Sequence, residues 1–214
     1  MNPHLDLLLS SVYEGPLAPA HRADLEKSGL TSATIAAQGI RSVPPSLFTS
    51  LLGFDPNGVR SALLFPYPDP AGGWFDHVRV KVFPPIETRR GTVKYLQPRR
   101  AGVRLFFPVG TRAALRANGT LLIVEGEKKA LACVQLGLPA VGIAGIEGWH
   151  RAGSTSLLPD FASVTLRGRV IELVPDGDVE TNPNVARGAG RLAEALEASG
   201  ARVRLVRLPM RQAA

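Results

Sequence analysis

A strand-helix-strand succession begins near residue 120 and recurs near residue 170, and it restricts the possible folds more than any other feature of the chain. Residues 121–124 (Leu-Leu-Ile-Val) and 170–174 (Val-Ile-Glu-Leu-Val) are near-continuous apolar runs. Runs without strict in-out alternation fit strands buried on both faces, as in a parallel sheet covered by helices. The spacing predicts a helix over 128–136, with Ala130, Leu131 and Val134 on one stripe and Gly137 as its stop. A strand over 140–143 follows. After the second run, Asn182-Pro183 supplies a cap and a first-turn proline for a helix reaching Ser199. Val185, Ala189, Leu192, Ala193 and Leu196 form its apolar face, and a last strand is predicted over 202–208. Repeated β-α-β units imply a parallel sheet flanked by helices.

Both buried runs end in a glycine-bearing turn that carries acids, Glu125-Gly126-Glu127 and Asp176-Gly177-Asp178. Parallel strands end at one edge of their sheet, and ligand sites form there. If the two ends are neighbours, Glu125, Asp176 and Asp178 converge, and three converging carboxylates need a cation. Magnesium, or manganese in its place, accepts such hard oxygen ligands and leaves room for water and phosphate. Residues i and i+2 of an extended turn point the same way, so Asp176 and Asp178 both reach one ion. The free amides that open the following helix favour an anion such as phosphate. Lys128 and Lys129 sit in that first turn, where the helix dipole disfavours cations, and facing phosphate would account for them. A plainer reading also stands: helix-favouring acids, solvated lysines and an ordinary Asp-Gly turn.

The chain of 214 residues has a formal net charge of +7 and is 45% hydrophobic, enough for one large domain or two small ones. A basic balance points to an anionic partner, of which nucleic acid is the commonest, or else to arginines that only solvate the surface. The single cysteine, Cys133, excludes an intrachain disulfide and a cysteine-rich zinc site, and is read as a small core residue. The short apolar stretch near the N-terminus contains Asp6 and lacks a basic flank, so neither a signal peptide nor a membrane span is expected, and a cytoplasmic location follows.

Residues 1–50 read as short helices over 5–13, 20–27 and 31–38, the last capped by Thr31 and followed by Gly39. The middle reads as an antiparallel, hairpin-rich sheet. Its strands are 62–65, closed by Pro66, then 74–83, 92–96 and 103–107. In 74–83, Phe75, His77, Arg79 and Lys81 alternate with Asp76, Val78, Val80 and Val82, as in a half-exposed strand. Arginine and lysine here suit salt-sensitive phosphate contacts, and Tyr95, Phe106 and Trp74 are candidates to stack on unpaired bases. Phe83, Phe106 and Phe107 equally suit a core. His150, beside Trp149 near the predicted sheet edge, is a lone histidine of the kind that is more often structural than catalytic.

Residues 121–148 together with 170–208 resemble the Toprim domain, whose marks are a strand-Glu-Gly turn and a later strand-Asp-x-Asp turn. That family includes bacterial replicative primases, type IA and II topoisomerases, RecR-like repair proteins and overcoming-lysogenisation-type nucleases. Glu125 matches the family's glutamate, associated with acid/base or metal-assisted phosphoryl chemistry. Asp176 and Asp178 match its metal-binding pair. Glu125-Gly126-Glu127-Lys128-Lys129-Ala130-Leu131 is most similar to the versions in phage and plasmid primase-like proteins, although primases usually carry an aspartate where Lys129 stands. Phe65-Pro66-Tyr67-Pro68-Asp69 and Val93-Lys94-Tyr95-Leu96-Gln97-Pro98 resemble primase segments that precede Toprim. There the lysine matched by Lys94 belongs to a groove for template and nucleotide, and Arg79, Lys81, Arg89, Arg90, Arg99, Arg100 and Arg104 are further groove candidates.

The expected architecture is therefore α/β. A helical and basic antiparallel-sheet subdomain (1–118) is followed by a Rossmann-like Toprim domain (119–214). The resemblance implies Mg2+- or Mn2+-dependent nucleotidyl transfer, with Glu125, Asp176, Asp178 and Lys94 as catalytic residues. Arg79, Lys81, Lys94, Tyr95, Arg99, Arg100, Arg104, Lys128 and Lys129 would hold nucleic acid or nucleotide. Expected partners are single-stranded DNA or RNA, nucleoside triphosphates and a helicase or other replication protein. A Toprim nuclease and a non-catalytic nucleic-acid-binding module are the competing readings. The zinc module and helicase-binding tail of a full replicative primase are not expected.

Overall fold

The structure, a computed structural model, describes residues 16–89, 91–177 and 179–208. The predicted helix over 5–13, Arg90 and Asp178 lie outside the described residues. The chain divides into two compact units, Met1–Ala101 and Gly102–Ala214.

The first unit holds a four-stranded antiparallel sheet in the order β1 (Arg41–Val43), β2 (Ser61–Pro68), β3 (Trp74–Thr88) and β4 (Gly91–Leu96). Helices α1 (Pro19–Glu26), α2 (Ser32–Ala37) and α3 (Phe48–Leu52) accompany it. Thr31 caps α2 by accepting a hydrogen bond from the Thr34 amide at 3.3 Å. Val78, Val80 and Val82 on one phase of β3 pack with Val43, Phe48, Leu51 and Leu52 in one apolar cluster. On the other phase Arg79 and Lys81 are half-buried, and Lys81 forms an ion pair with Asp24 of α1.

Three expectations change in this unit. His77 is buried, its ring set edge-on to Tyr67 with centroids 4.5 Å apart. Strand β2 does not stop before Pro66 but runs through it. Strand β1 pairs only Ala62, Leu63 and Leu64, so Pro66 lies where that side of β2 is an edge and no amide is demanded. Strand β3 continues to Thr88 through two prolines, with a register shift between Lys81 and Ile86.

The second unit holds a parallel sheet in the order β6 (Ala140–Ile143), β5 (Leu121–Glu125), β7 (Val170–Val174) and β8 (Arg202–Leu205). The connecting helices are α5 (Glu127–Gln135), which follows the short helix α4 (Arg112–Leu115), and α6 (Pro183–Ala198). The Asn182 side chain caps α6 by accepting from the Asn184 amide at 3.1 Å, and Ala189, Leu192 and Leu196 bury its apolar face. Fully burying a leucine side chain contributes about 1.5–3 kcal/mol, and the alanine methyl less. The central strands are apolar on both faces because helices must cover both faces of a parallel sheet.

The predicted strand 103–107 is absent. Phe106 makes a single antiparallel bridge to Gly142, with paired hydrogen bonds of 2.9 and 2.8 Å. Leu105, Phe106 and Phe107 are buried, so Phe106 is core and not a surface for stacking bases. The last strand is shorter than predicted and ends at Leu205. Cys133 is only half-buried, and burial raises its thiol pKa despite the nearby Lys129 ammonium. No helix among the described residues is long and apolar enough to cross a membrane.

Candidate metal and phosphate site at the sheet edge

Strand β5 pairs β7 in parallel with Val124 beside Val174, so both strands deliver their next residues to the same edge. Glu125 is the last residue of β5 and is half-buried. Its Oε2 accepts a hydrogen bond from the backbone amide of Asp176 at 3.3 Å. The two acidic strand ends are therefore neighbours, the arrangement that the apolar runs left open. Gly126 turns the chain from β5 into α5 with φ of 94°, a left-handed conformation that favours glycine. The loop after β6 also passes this point: a Cβ placed on Gly145 would lie 3.9 Å from Glu125 Oε1.

The Asp176 carboxylate is about half exposed, and the Lys129 ammonium is paired with it. Lys129 stands in the first turn of α5, so the turn expected to face phosphate presents a cation to the neighbouring strand end. Lys128 is half-buried in the same turn. Glu127 is the acid in the first turn of α5, as its position suggested, and it is buried at 2% exposure.

Further along this edge, Glu147 joins two elements. Its Oε2 meets His150 Nε2 at 3.0 Å, and its Oε1 pairs with Arg191 of α6. His150 Nδ1 lies 2.9 Å from the Arg151 carbonyl oxygen. Both partners only accept, so both ring nitrogens donate and the imidazolium is favoured. Accordingly, the Glu147 hydrogen bond and then the Arg151 carbonyl raise the His150 pKa, and the His150 hydrogen bond lowers that of Glu147. The sequence singled out His150 but not the link through Glu147 to Arg191, which lies 44 positions further on in α6.

In the first unit, Lys94, Arg89, Arg99 and Arg100 are exposed. The Arg79 guanidinium lies 4.9 Å from the centre of the Tyr95 ring, and Lys81 is held by Asp24. Tyr95 is directly opposite Lys81 in the ladder. Successive residues of a strand point to opposite faces, so Lys94 does not share the face of Arg79 and Tyr95. Arg104 belongs to the second unit, where it pairs with Asp160 at 2.9 Å; the other oxygen of Asp160 accepts from the Leu105 amide.

Residues 114–213 match the family described as Domain of unknown function (DUF3854). No curated protein matches the chain. Among solved structures, a DnaG catalytic core is 22% identical, with 98% of this chain and 72% of that one covered and a TM-score of 0.65. The zinc-binding and RNA polymerase domains of the Aquifex aeolicus primase are 16% identical with a TM-score of 0.68; 98% of this chain but 55% of that one is covered. A DnaG primase catalytic domain bound to single-stranded DNA is 23% identical over 98% of this chain and 71% of that one, with a TM-score of 0.63. The chain thus has the fold of a primase catalytic core, with an antiparallel sheet and a helix-flanked parallel sheet of Toprim type.

A divalent metal is the cation expected from the acidic strand ends, and the donor set bears on it directly. Among the described residues, no group of three or more His, Cys, Asp or Glu side chains is placed to hold a metal ion. Glu125 and Asp176 nonetheless carry hard oxygens on neighbouring strand ends, and the Asp176 carboxylate already attracts an ammonium group. Magnesium takes one or two carboxylates and fills its remaining positions with water and substrate phosphates. The two carboxylates fit that mode of binding.

Proposed function

We propose that this chain, built on the fold of a primase catalytic core, carries out metal-dependent nucleotidyl transfer on a nucleic-acid template. The observation that carries the reading is the hydrogen bond of 3.3 Å between the Asp176 amide and Glu125, which joins the two acidic strand ends at one sheet edge. Glu125 and Asp176, with Asp178, would hold Mg2+ or Mn2+. When bound, the metal supplies positive charge to the triphosphate and to the charge developing in phosphoryl transfer.

The chain's own residues have separable tasks in this reading. The Asp176 amide orients the Glu125 carboxylate. The first turn of α5 directs backbone amides toward an anion at the strand end, with Lys128 beside them. Lys94, Arg99 and Arg100 are exposed cations suited to template phosphates, and Tyr95 with Arg79 offers an aromatic-guanidinium pair for an unpaired base. Single-stranded nucleic acid and nucleoside triphosphates are the proposed substrates.

The test is incubation with single-stranded DNA, labelled nucleoside triphosphates and Mn2+, followed by sizing of the products. New labelled oligonucleotides are expected. The E125Q and D176N variants should each lower incorporation by about 100-fold or more, while DNA affinity stays within about twofold. Template shortened in place of label incorporated would indicate hydrolysis by the same carboxylates. DNA binding with neither product would leave a binding module.

A further inference from the structure

We infer that Lys129 is a built-in counter-ion of the strand-end carboxylates, occupying Asp176 when no divalent ion is bound and yielding it when one arrives. The inference rests on the reading that Glu125 and Asp176 form a metal site, and it adds a residue which that reading does not need. Two adjacent carboxylates repel each other in the absence of a cation. Here Glu125 receives the Asp176 amide, but the Asp176 carboxylate receives Lys129. The lysine is anchored in α5, one turn from Gly126, and the aspartate follows β7, so the pair joins two elements at the edge where the ion would enter.

An ammonium on a flexible stem is a replaceable partner. Both side chains are nearly half exposed, at 45% and 46%, and exposed ion pairs hold weakly. A divalent ion competing for Asp176 must displace one positive charge and then sit near it. Lys129 therefore lowers the site's affinity for free metal. Triphosphate changes this balance, because its oxygens offer the displaced ammonium a new partner beside the amides that open α5. Metal carried in by its phosphates is thus favoured over metal alone.

The experiment titrates the purified full chain with Mn2+ alone and follows the loss of the free-ion signal by electron paramagnetic resonance, at low ionic strength. The K129A and K129Q variants should bind Mn2+ about tenfold more tightly than the wild-type chain. D176N should bind weakly and respond little to removal of Lys129. In EDTA the Lys129 variants should melt below wild type, and added Mn2+ should close that gap. A purely structural lysine would lower the melting temperature with and without metal. Unchanged or weaker Mn2+ binding in K129Q, with its fold intact by circular dichroism, overturns the inference. Absence of nucleotidyl transfer in a chain that shows the Mn2+ gain would instead count against the proposed function.

Discussion

His21 shows how a single polar residue is accommodated inside the first unit. It is fully buried, its Nδ1 lies 2.8 Å from Ser42 Oγ, and its Nε2 lies 3.0 Å from Ser61 Oγ. Its ring also lies 4.6 Å from that of Phe83. Burial lowers its pKa below the ordinary 6.5; Asp24 opposes this and Lys81 adds to it. Below pH 6.5 the unfolded chain takes up a proton that the folded chain resists. His21 therefore reduces stability as pH falls and has no such effect above that value. Urea unfolding at pH 7.5 and 5.5 should show a larger loss for wild type than for H21Q. In the second unit, Gly148 is held by steric limits rather than polarity. A Cβ there would lie 2.5 Å from the Ala144 nitrogen, a clash with backbone that no rotamer relieves. G148A should cost about 2 kcal/mol or more in chemical denaturation.

Between elements, buried or shared charges join what the backbone ladders do not. Arg169, at 1% exposure, donates to the carbonyls of Gly119, Leu115 and Ala114 at 2.7–2.8 Å, tying the start of β7 to the end of α4. Burial lowers its pKa from that of a free arginine. R169M strands those carbonyls and should cost about 3 kcal/mol, read as a lower urea midpoint at an unchanged slope. Glu147 likewise joins the loop after β6 to α6, which approaches so closely that a Cβ on Gly188 would lie 2.8 Å from Glu147 Oε1. Because Glu147 is the main cause of the raised His150 pKa, E147Q should lower it. Imidazole proton shifts followed across pH by NMR would show this, and an unmoved midpoint would contradict the assignment.

For the whole molecule, the net charge of +7 predicts binding to single-stranded nucleic acid that weakens steeply with salt. Each phosphate contact contributes about −0.7 to the slope of log affinity against log salt. The R99A/R100A double variant should flatten that slope by about one contact or more, measured by fluorescence anisotropy on a labelled oligonucleotide. Lys81 and Arg104 already have carboxylate partners, Asp24 and Asp160, so K81A and R104A should change the slope less than the exposed pair does.

Much of this was legible in local pattern. The runs at 121–124 and 170–174, the Asn182 cap and the Gly126 turn each depend on neighbours within a few residues, and each appears where the sequence predicted it. Residues 103–107 misled because an apolar run reads alike whether it pairs as a strand or simply fills a core. Pro66 misled because an edge is defined by where another strand stops. The candidate site divides in the same way. Its acids were visible as residue types in glycine turns. The Lys129–Asp176 pair spans 47 positions and Glu147–Arg191 spans 44. Which strand lies beside which, and hence which charges meet, depends on helices packing across the parallel sheet. That non-local packing was decided only in the tertiary structure.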